Sequence, residues 1–271
     1  MLKHIVYFFL TLAFIGIASK QTLAQSETIG SVKETASFGA NKFLETEESA
    51  PFFIEGEKTK KELELKKLAF EKIITLSSLE IRGLLKKIDG LEDVEAELLP
   101  LKKNFTEELE NYLDKLIVDA DALNNNGDLQ SIQSLASDFS EWRESAYNPV
   151  VKKVVDFILS EQNKALLKVA EQRFLKIESE LNKKTRSAKI TIDLWESLLN
   201  EAASNLKGAR NANTMALALL RDYLPIQDEK IQKSGGLTIR SLVALSLNEL
   251  KKTYRNFFEL GDLVKKATSS K

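Results

Sequence analysis

Residues 149–184 decide the fold, and they read PVVKKVVDFILSEQNKALLKVAEQRFLKIESELNKK. After Pro149 the stretch has no glycine and no further proline, the two residues that most disfavour a helix interior. Its apolar residues recur at steps of three and four, as they do along one face of an α-helix. They are Val151, Val154, Val155, Ile158, Ala165, Leu166, Val169, Ala170, Phe174, Ile177 and Leu181. The pattern predicts one long helix, with Asn148 as its N-cap and Pro149 at its first position.

The same pattern continues on both sides of this stretch. It predicts helices over 57–87, 91–99, 100–123, 128–145, 191–223 and 238–266, with Asp128 and either Thr191 or Asp193 as N-caps. In the first of these the apolar face carries Leu63, Phe70, Ile74, Ile81, Leu84, Leu85 and Ile88. No segment shows the alternation of apolar and polar residues that is typical of a β-strand. The sequence therefore predicts an all-α bundle of about five to six amphipathic helices.

The length of the 149–184 helix bears on the shape of the bundle. At ~1.5 Å per residue it would span about 54 Å. A compact sphere formed by a chain of this size would have a diameter near ~46 Å. We therefore predict an elongated antiparallel bundle with coiled-coil-like packing, although no strict heptad repeat persists.

Composition agrees with a helical, globular chain. The 271 residues are 43% apolar and include only 4 Pro and 11 Gly, which excludes wholesale disorder and disfavours a fold of many short strands and turns. With 39 basic and 40 acidic residues the chain lacks the excess of positive charge typical of nucleic-acid-binding proteins. We expect no nucleic-acid partner.

The first 24 residues have the pattern of a secretory signal peptide. Lys3 and His4 precede an apolar run, and Thr22 and Ala24 occupy the small positions before a cleavage site between Ala24 and Gln25. The alternative is an uncleaved leader that anchors the chain, which would be its only contact with a membrane. Either way the sequence predicts an exported protein, located in the periplasm, on the cell surface or in the medium of a bacterium.

Residues 25–56 lack helical periodicity and are predicted to form a flexible N-terminal arm. The exception is the apolar patch Phe52, Phe53 and Ile54, which either docks onto the protein's own core or contacts a partner. The helical bundle domain is predicted over 57–267, and 268–271 is predicted to be a disordered tail.

The residue types available limit the chemistry. The chain has no cysteine, and its one histidine is His4 in the leader. The mature chain therefore cannot build a Ser/His/Asp triad, a thiol nucleophile, a zinc site of the usual ligands or a His-ligated haem. The sequence predicts no catalytic site, no metal and no cofactor.

Three patterns that could indicate a site have simpler explanations. The acidic segment 119–128 resembles a calcium loop, but Ala122 and Gln133 stand where an EF-hand needs carboxylates, so a helix end followed by an N-cap explains it better. A second pattern is the spacing of Asp89, Glu92, Asp93 and Glu97, which fits one solvated side of a helix. Finally, a ligand groove could be lined by Trp142, Arg143, Tyr147 and Trp195, although aromatic residues at helix ends more often plug a core.

The leading functional hypothesis is an exported, non-enzymatic helical scaffold or binding protein of the bacterial cell envelope or exterior. Its partner would be a protein, either a second copy of itself or another envelope component. The alternatives are a helical protein that contacts membranes or binds an apolar ligand, and a carboxylate-dependent enzyme that acts on envelope polymers.

Overall fold

A computed structural model describes residues 55–125, 128–185, 192–223 and 237–269. They form the α-helices α1 (Glu55–Asp89), α2 (Leu99–Asn125), α3 (Leu129–Trp142), α4 (Asn148–Thr185), α5 (Ile192–Arg221) and α6 (Ile239–Ser269), with a 3₁₀ turn at Ala96–Leu98 and a π-helical segment at Arg143–Tyr147. Of these residues 94% are helical and none forms a strand, which confirms the all-α prediction. Elongation and coiled-coil-like packing remain predictions.

The buried face of α1 is the one that the sequence predicts. Phe70, Ile74, Ile81, Leu84 and Ile88 are all buried. The helix closes where Gly90 donates its backbone N–H to the carbonyl of Lys86 at 3.2 Å. Helical spacing alone was sufficient here because one side of the helix carries the large apolar residues.

The helix predicted over 91–99 is wrong. Asp93 has a φ of 55°, in the left-handed region that a right-handed helix cannot include. Only the 3₁₀ turn Ala96–Leu98 forms before α2 begins at Leu99. The acidic residues at 89, 92, 93 and 97 therefore do not share one side of a helix.

The predicted N-cap role of Asn148 is also wrong, although α4 does begin at that residue. Asn148 has helical torsion angles, φ −60° and ψ −41°, and its backbone N–H reaches the carbonyl of Arg143 five residues back. This wider turn accommodates Pro149, whose ring would clash with the carbonyl four residues earlier and which has no N–H to donate. As a result the helical backbone runs without a break from 129 to 185.

The caps follow the sequence in part. Asp128 caps α3 as predicted, since its side chain accepts from the Ser131 N–H at 2.8 Å. Asp193 lies inside α5 and is not its cap, while Thr191 is outside the described residues. Thr238 caps α6 through reciprocal bonds with Ser241, at 3.1 Å and 2.9 Å. That helix runs to Ser269 and so includes two residues of the predicted tail.

The chain folds as two compact units, and the segment predicted as one bundle contributes to both. Among the described residues, the first unit comprises 55–85, 108–125 and 128–149. Its core is built on α1, α2 and α3, with Phe70 packed edge-on against Phe139 at a centroid distance of 5.2 Å. Leu109, Leu116 and Ile132 of this unit are also fully buried.

The second unit comprises the described residues 86–107, 150–185, 192–223 and 237–269. The early part of α4 is buried on nearly all its sides, as expected of a helix enclosed by others. Its buried residues include both apolar and polar types: Val151, Val154, Asp156, Phe157, Ile158, Ser160, Glu161 and Asn163. Further along α4, Ile177 and Leu181 join Trp195 of α5 and Phe257 of α6 in one apolar cluster.

Candidate binding face

The predicted site residues of the N-terminal region lie outside the described residues. These are Ala24 and Gln25 at the cleavage site, and Phe52, Phe53 and Ile54 at the partner contact. Both remain predictions.

A second apolar face of α1, in addition to the one predicted from its periodicity, lies in the first unit. Leu65 is 60% exposed, Leu68 48%, Leu76 41% and Leu79 60%. At about 100° per residue these four leucines fall within an arc of about 80°, on the side of the helix opposite Phe70 and Ile74. We call these four residues the α1 stripe.

The α1 stripe is symmetric in sequence about Lys72. Leu68 and Leu76 lie four residues from Lys72 on either side, and Leu65 and Leu79 lie seven residues from it. Lys72 is itself exposed and falls in the middle of the stripe. The two Leu-x-x-Leu pairs are 11 residues apart, close to three helical turns, and this repeat is the signal that could have revealed the stripe from sequence.

Ile117 provides a useful contrast within the same unit. It is 57% exposed, almost as much as Leu79, but its neighbours three residues before and four residues after are Asp114 and Asp121. The adjacent Val118 is also exposed, and such apolar side chains among carboxylates are normal on a protein surface. The α1 stripe differs because its leucines form two i, i+3 pairs on one side of the helix, one pair on each side of Lys72.

The candidate aromatic groove is divided between the two units. In the first unit Trp142 lies 5.4 Å from Tyr112 and 5.3 Å from Tyr147, between ring centroids. Tyr147 is fully buried, and Arg143 lies over its ring at 5.1 Å. Trp195 is 4% exposed in the apolar cluster of the second unit. The buried residues plug cores, as aromatic residues at helix ends commonly do.

The aromatic cluster of the first unit carries two satisfied hydroxyls. Tyr147 donates to Oε2 of Glu80 at 2.7 Å, and Tyr112 donates to the carbonyl of Ala146 at 3.2 Å. Burial, followed by the charge of Glu80 and this hydrogen bond, raises the pKa of Tyr147 well above its ordinary value. The phenol is therefore held neutral as a structural donor.

The second unit contains a buried polar layer that joins three helices. Asn163 of α4 donates to Oδ1 of Asn213 on α5 at 2.7 Å and to the hydroxyl of Ser246 on α6 at 2.9 Å. Ser246 in turn donates to the carbonyl of Ala209 at 2.9 Å. Such a layer favours one register among helices that otherwise meet through interchangeable apolar residues.

A second polar group lies on the same helix of that unit. Asp156 is buried and accepts from Nε of Arg240 at 2.6 Å and from the hydroxyl of Tyr223 at 3.5 Å. Glu161 is also buried and pairs with Lys164 at 2.6 Å. Burial outweighs that pairing and raises the pKa of Glu161.

The acidic segment near the end of α2 is engaged in ordinary structural contacts. Asp119 accepts from Lys115 at 2.9 Å, and Asp128 caps α3. Within the described ranges no three Asp, Glu, His or Cys side chains converge as metal ligands would. In the same part of the chain, no helix is long and apolar enough to cross a bilayer.

Comparison with known proteins gives no relative. No protein-family model matches the chain, and neither a curated protein nor a solved structure matches it significantly.

Proposed function

We propose that this protein is an exported, non-enzymatic helical binding protein of the bacterial cell envelope or exterior, and that it binds other protein surfaces through the α1 stripe. The observation that carries this proposal is the exposure of four leucines, in two pairs, on one side of a helix whose other side is already packed.

The energetics favour covering such a face. Burying a leucine side chain is worth about 1.5–3 kcal/mol, so the exposed halves of the four leucines together offer about 4 kcal/mol. Clustered exposed apolar residues mark interaction sites far more often than scattered ones do. The leader supports export, and the absence of His and Cys after His4 supports a binding role over catalysis.

The test is photo-cross-linking in the producing cells. A benzophenone amino acid replaces Leu79 in one variant and Ile117 in a matched variant of nearly equal exposure. We expect a discrete adduct from position 79 and none above background from position 117, with the mature N-terminal peptide beginning at Gln25. Equal yields at the two positions would contradict a binding role for the stripe, and a peptide that begins at Met1 would contradict cleavage.

A further inference from the structure

We propose that the α1 stripe pairs with the α1 stripe of a second copy of this chain, in an antiparallel arrangement whose two-fold axis passes beside Lys72. This inference rests on the proposed binding role of the stripe and identifies its partner.

The symmetry of the stripe is the first argument. In an antiparallel pair centred on residue 72, facing residues have numbers that sum to 144. Leu65 then faces Leu79 of the second copy, and Leu68 faces the second copy's Leu76. A two-fold interface requires a self-complementary patch of this kind, in which each contact occurs twice.

Charge complementarity at the edge of the stripe is the second argument. Glu64 and Arg82 are both exposed and lie on the same flank of α1, about 80° from the direction in which Lys72 points. In the antiparallel pair, residues on the same flank of the two copies come together. Glu64 of one copy then lies within about 3 Å along the axis of Arg82 of the other, so two opposite-charge pairs border the leucines on this flank. On the other flank Glu62 comes equally close to Glu80 of the second copy, but each carboxylate already has a partner within its own chain, Lys66 at 2.8 Å and the Tyr147 hydroxyl at 2.7 Å.

The two Lys72 ammonium groups meet near the axis and oppose pairing, although their long side chains can turn their charges outward to water. A lysine within an apolar seam weakens an association while fixing its register. The contact also extends only about 21 Å along each helix, from Leu65 to Leu79, and buries on the order of 800 Å² in total. We therefore expect a weak dimer, with a Kd of roughly 10 μM or higher.

The absence of native cysteine permits a direct test of register. Lys72→Cys places one thiol on each side of the axis, within reach of a disulfide. Leu65→Cys places its two thiols about 21 Å apart, whereas they would face each other in a parallel pair. Each variant of the exported full chain is purified, oxidised with copper phenanthroline and analysed on a non-reducing gel.

We expect Lys72→Cys to form a cross-linked dimer and Leu65→Cys alone to remain uncross-linked. A mixture of Leu65→Cys and Leu79→Cys proteins should cross-link, because those positions face each other. Cross-linking of Leu65→Cys to itself as readily as Lys72→Cys would overturn the antiparallel arrangement. Far-UV circular dichroism of each variant verifies that the helices are retained.

Sedimentation equilibrium of the cysteine-free chain measures the dimer dissociation constant. Protein concentrations of roughly 10–500 μM cover the range of the expected Kd. The double variant Leu68→Gln/Leu76→Gln should weaken it at least about 100-fold, and Ile117→Gln should leave it unchanged. Lys72→Leu should strengthen it at least about 10-fold, since it removes the repulsion at the axis. Conversely, Lys72→Glu mixed with the unmodified chain should form heterodimers in preference to either homodimer.

A chain that remains monomeric at the highest concentration, with no cross-link from position 72, would show that the stripe does not bind a second copy. If the photo-cross-linker at position 79 still captured a different protein, only the self-association would be wrong and the proposed function would stand. If position 79 captured nothing, both would fail.

Discussion

The phenolic hydroxyl of Tyr147 donates a 2.7 Å hydrogen bond to Oε2 of Glu80, and so joins the π-helical segment to α1. Tyr147 points inward from the wide turn that precedes Pro149, where it is fully buried. The feature that adapts the helix to a proline thus also delivers a hydrogen-bond donor to the core of the first unit.

Tyr147→Phe removes the hydroxyl, so Oε2 of Glu80 loses this hydrogen bond. Because hydrogen bonds to charged groups contribute about 1.5–3 kcal/mol, we expect the free energy of unfolding to fall by about that amount. Equilibrium urea denaturation followed by circular dichroism measures the change. Glu80→Gln retains an oxygen acceptor and should cost less. A Tyr147→Phe variant within about 0.5 kcal/mol of the parent protein would contradict this account.

The same hydroxyl makes stability sensitive to alkaline pH. Burial raises the pKa of Tyr147 in the folded chain, whereas the unfolded chain releases this proton near pH ~10. The unfolded state is therefore favoured as the pH rises above ~10, and the contribution of the tyrosine to stability is lost there. We expect the stability gap between the parent protein and Tyr147→Phe to narrow between pH 9 and pH 11 in urea titrations. A gap that stays constant or widens would show that the phenol is not held neutral by the fold.

Glu161 gives a pH dependence in the acidic range. Burial raises the pKa of Glu161 in the folded chain above the ordinary 4.5. Below about pH 4.5 the carboxyl is protonated in both the folded and the unfolded chain and costs no stability, whereas at neutral pH its ionisation lowers the free energy of unfolding. Glu161→Gln should therefore raise the urea midpoint at pH 7, and the gain should disappear as the pH falls to 4. Glu171→Gln on the same helix removes a partly exposed pairing with Arg210 and should lower stability by about 1 kcal/mol or less. A lower midpoint for Glu161→Gln at pH 7 would contradict the prediction.

Two asparagines on α5 form a matched pair for testing the buried polar layer. Asn213 is buried and accepts from Asn163, whereas Asn211 is exposed two residues away. Asn213→Ala leaves a buried donor without its partner and should cost about 1–3 kcal/mol. Asn211→Ala should change the free energy of unfolding by about 0.5 kcal/mol at most. Any change should be stabilising, because alanine has a higher helix propensity than asparagine. Thermal and urea unfolding measure the stability of the two variants. Equal losses of unfolding free energy would show that the buried polar layer does not contribute to stability.

Local signals in the sequence were reliable where one interaction decides the structure. Asp128 caps α3 because a carboxylate at that position satisfies a free backbone N–H without help from the rest of the chain. The Asn148 and Pro149 signal is equally strong by local criteria, yet the helix continues through it. There a π-helical turn forms in place of a helix end and buries Tyr147 against the half-buried Trp142, five residues earlier, and this tertiary packing is not encoded in the local sequence pattern.

The polar layer and the division of the aromatic residues between two cores were beyond sequence reasoning for a related reason. Nothing in the residues around Asn163 distinguishes a buried asparagine from a solvated one, because its partners are 50 and 83 residues away. Likewise the aromatic residues singled out in the sequence proved to belong to two separate cores, with Trp195 in one and Trp142 in the other.

The sequence by itself determined that the described chain is helical, where most helices begin and end, and which large apolar residues α1 buries. Helical periodicity suffices for these features because they depend on residues within one or two turns of each other. Only the tertiary structure decided that α1 has a second leucine face left in water. Leucine is compatible with both faces, and the choice depends on distant residues such as Phe139, which packs against Phe70 and draws that side of the helix into the core.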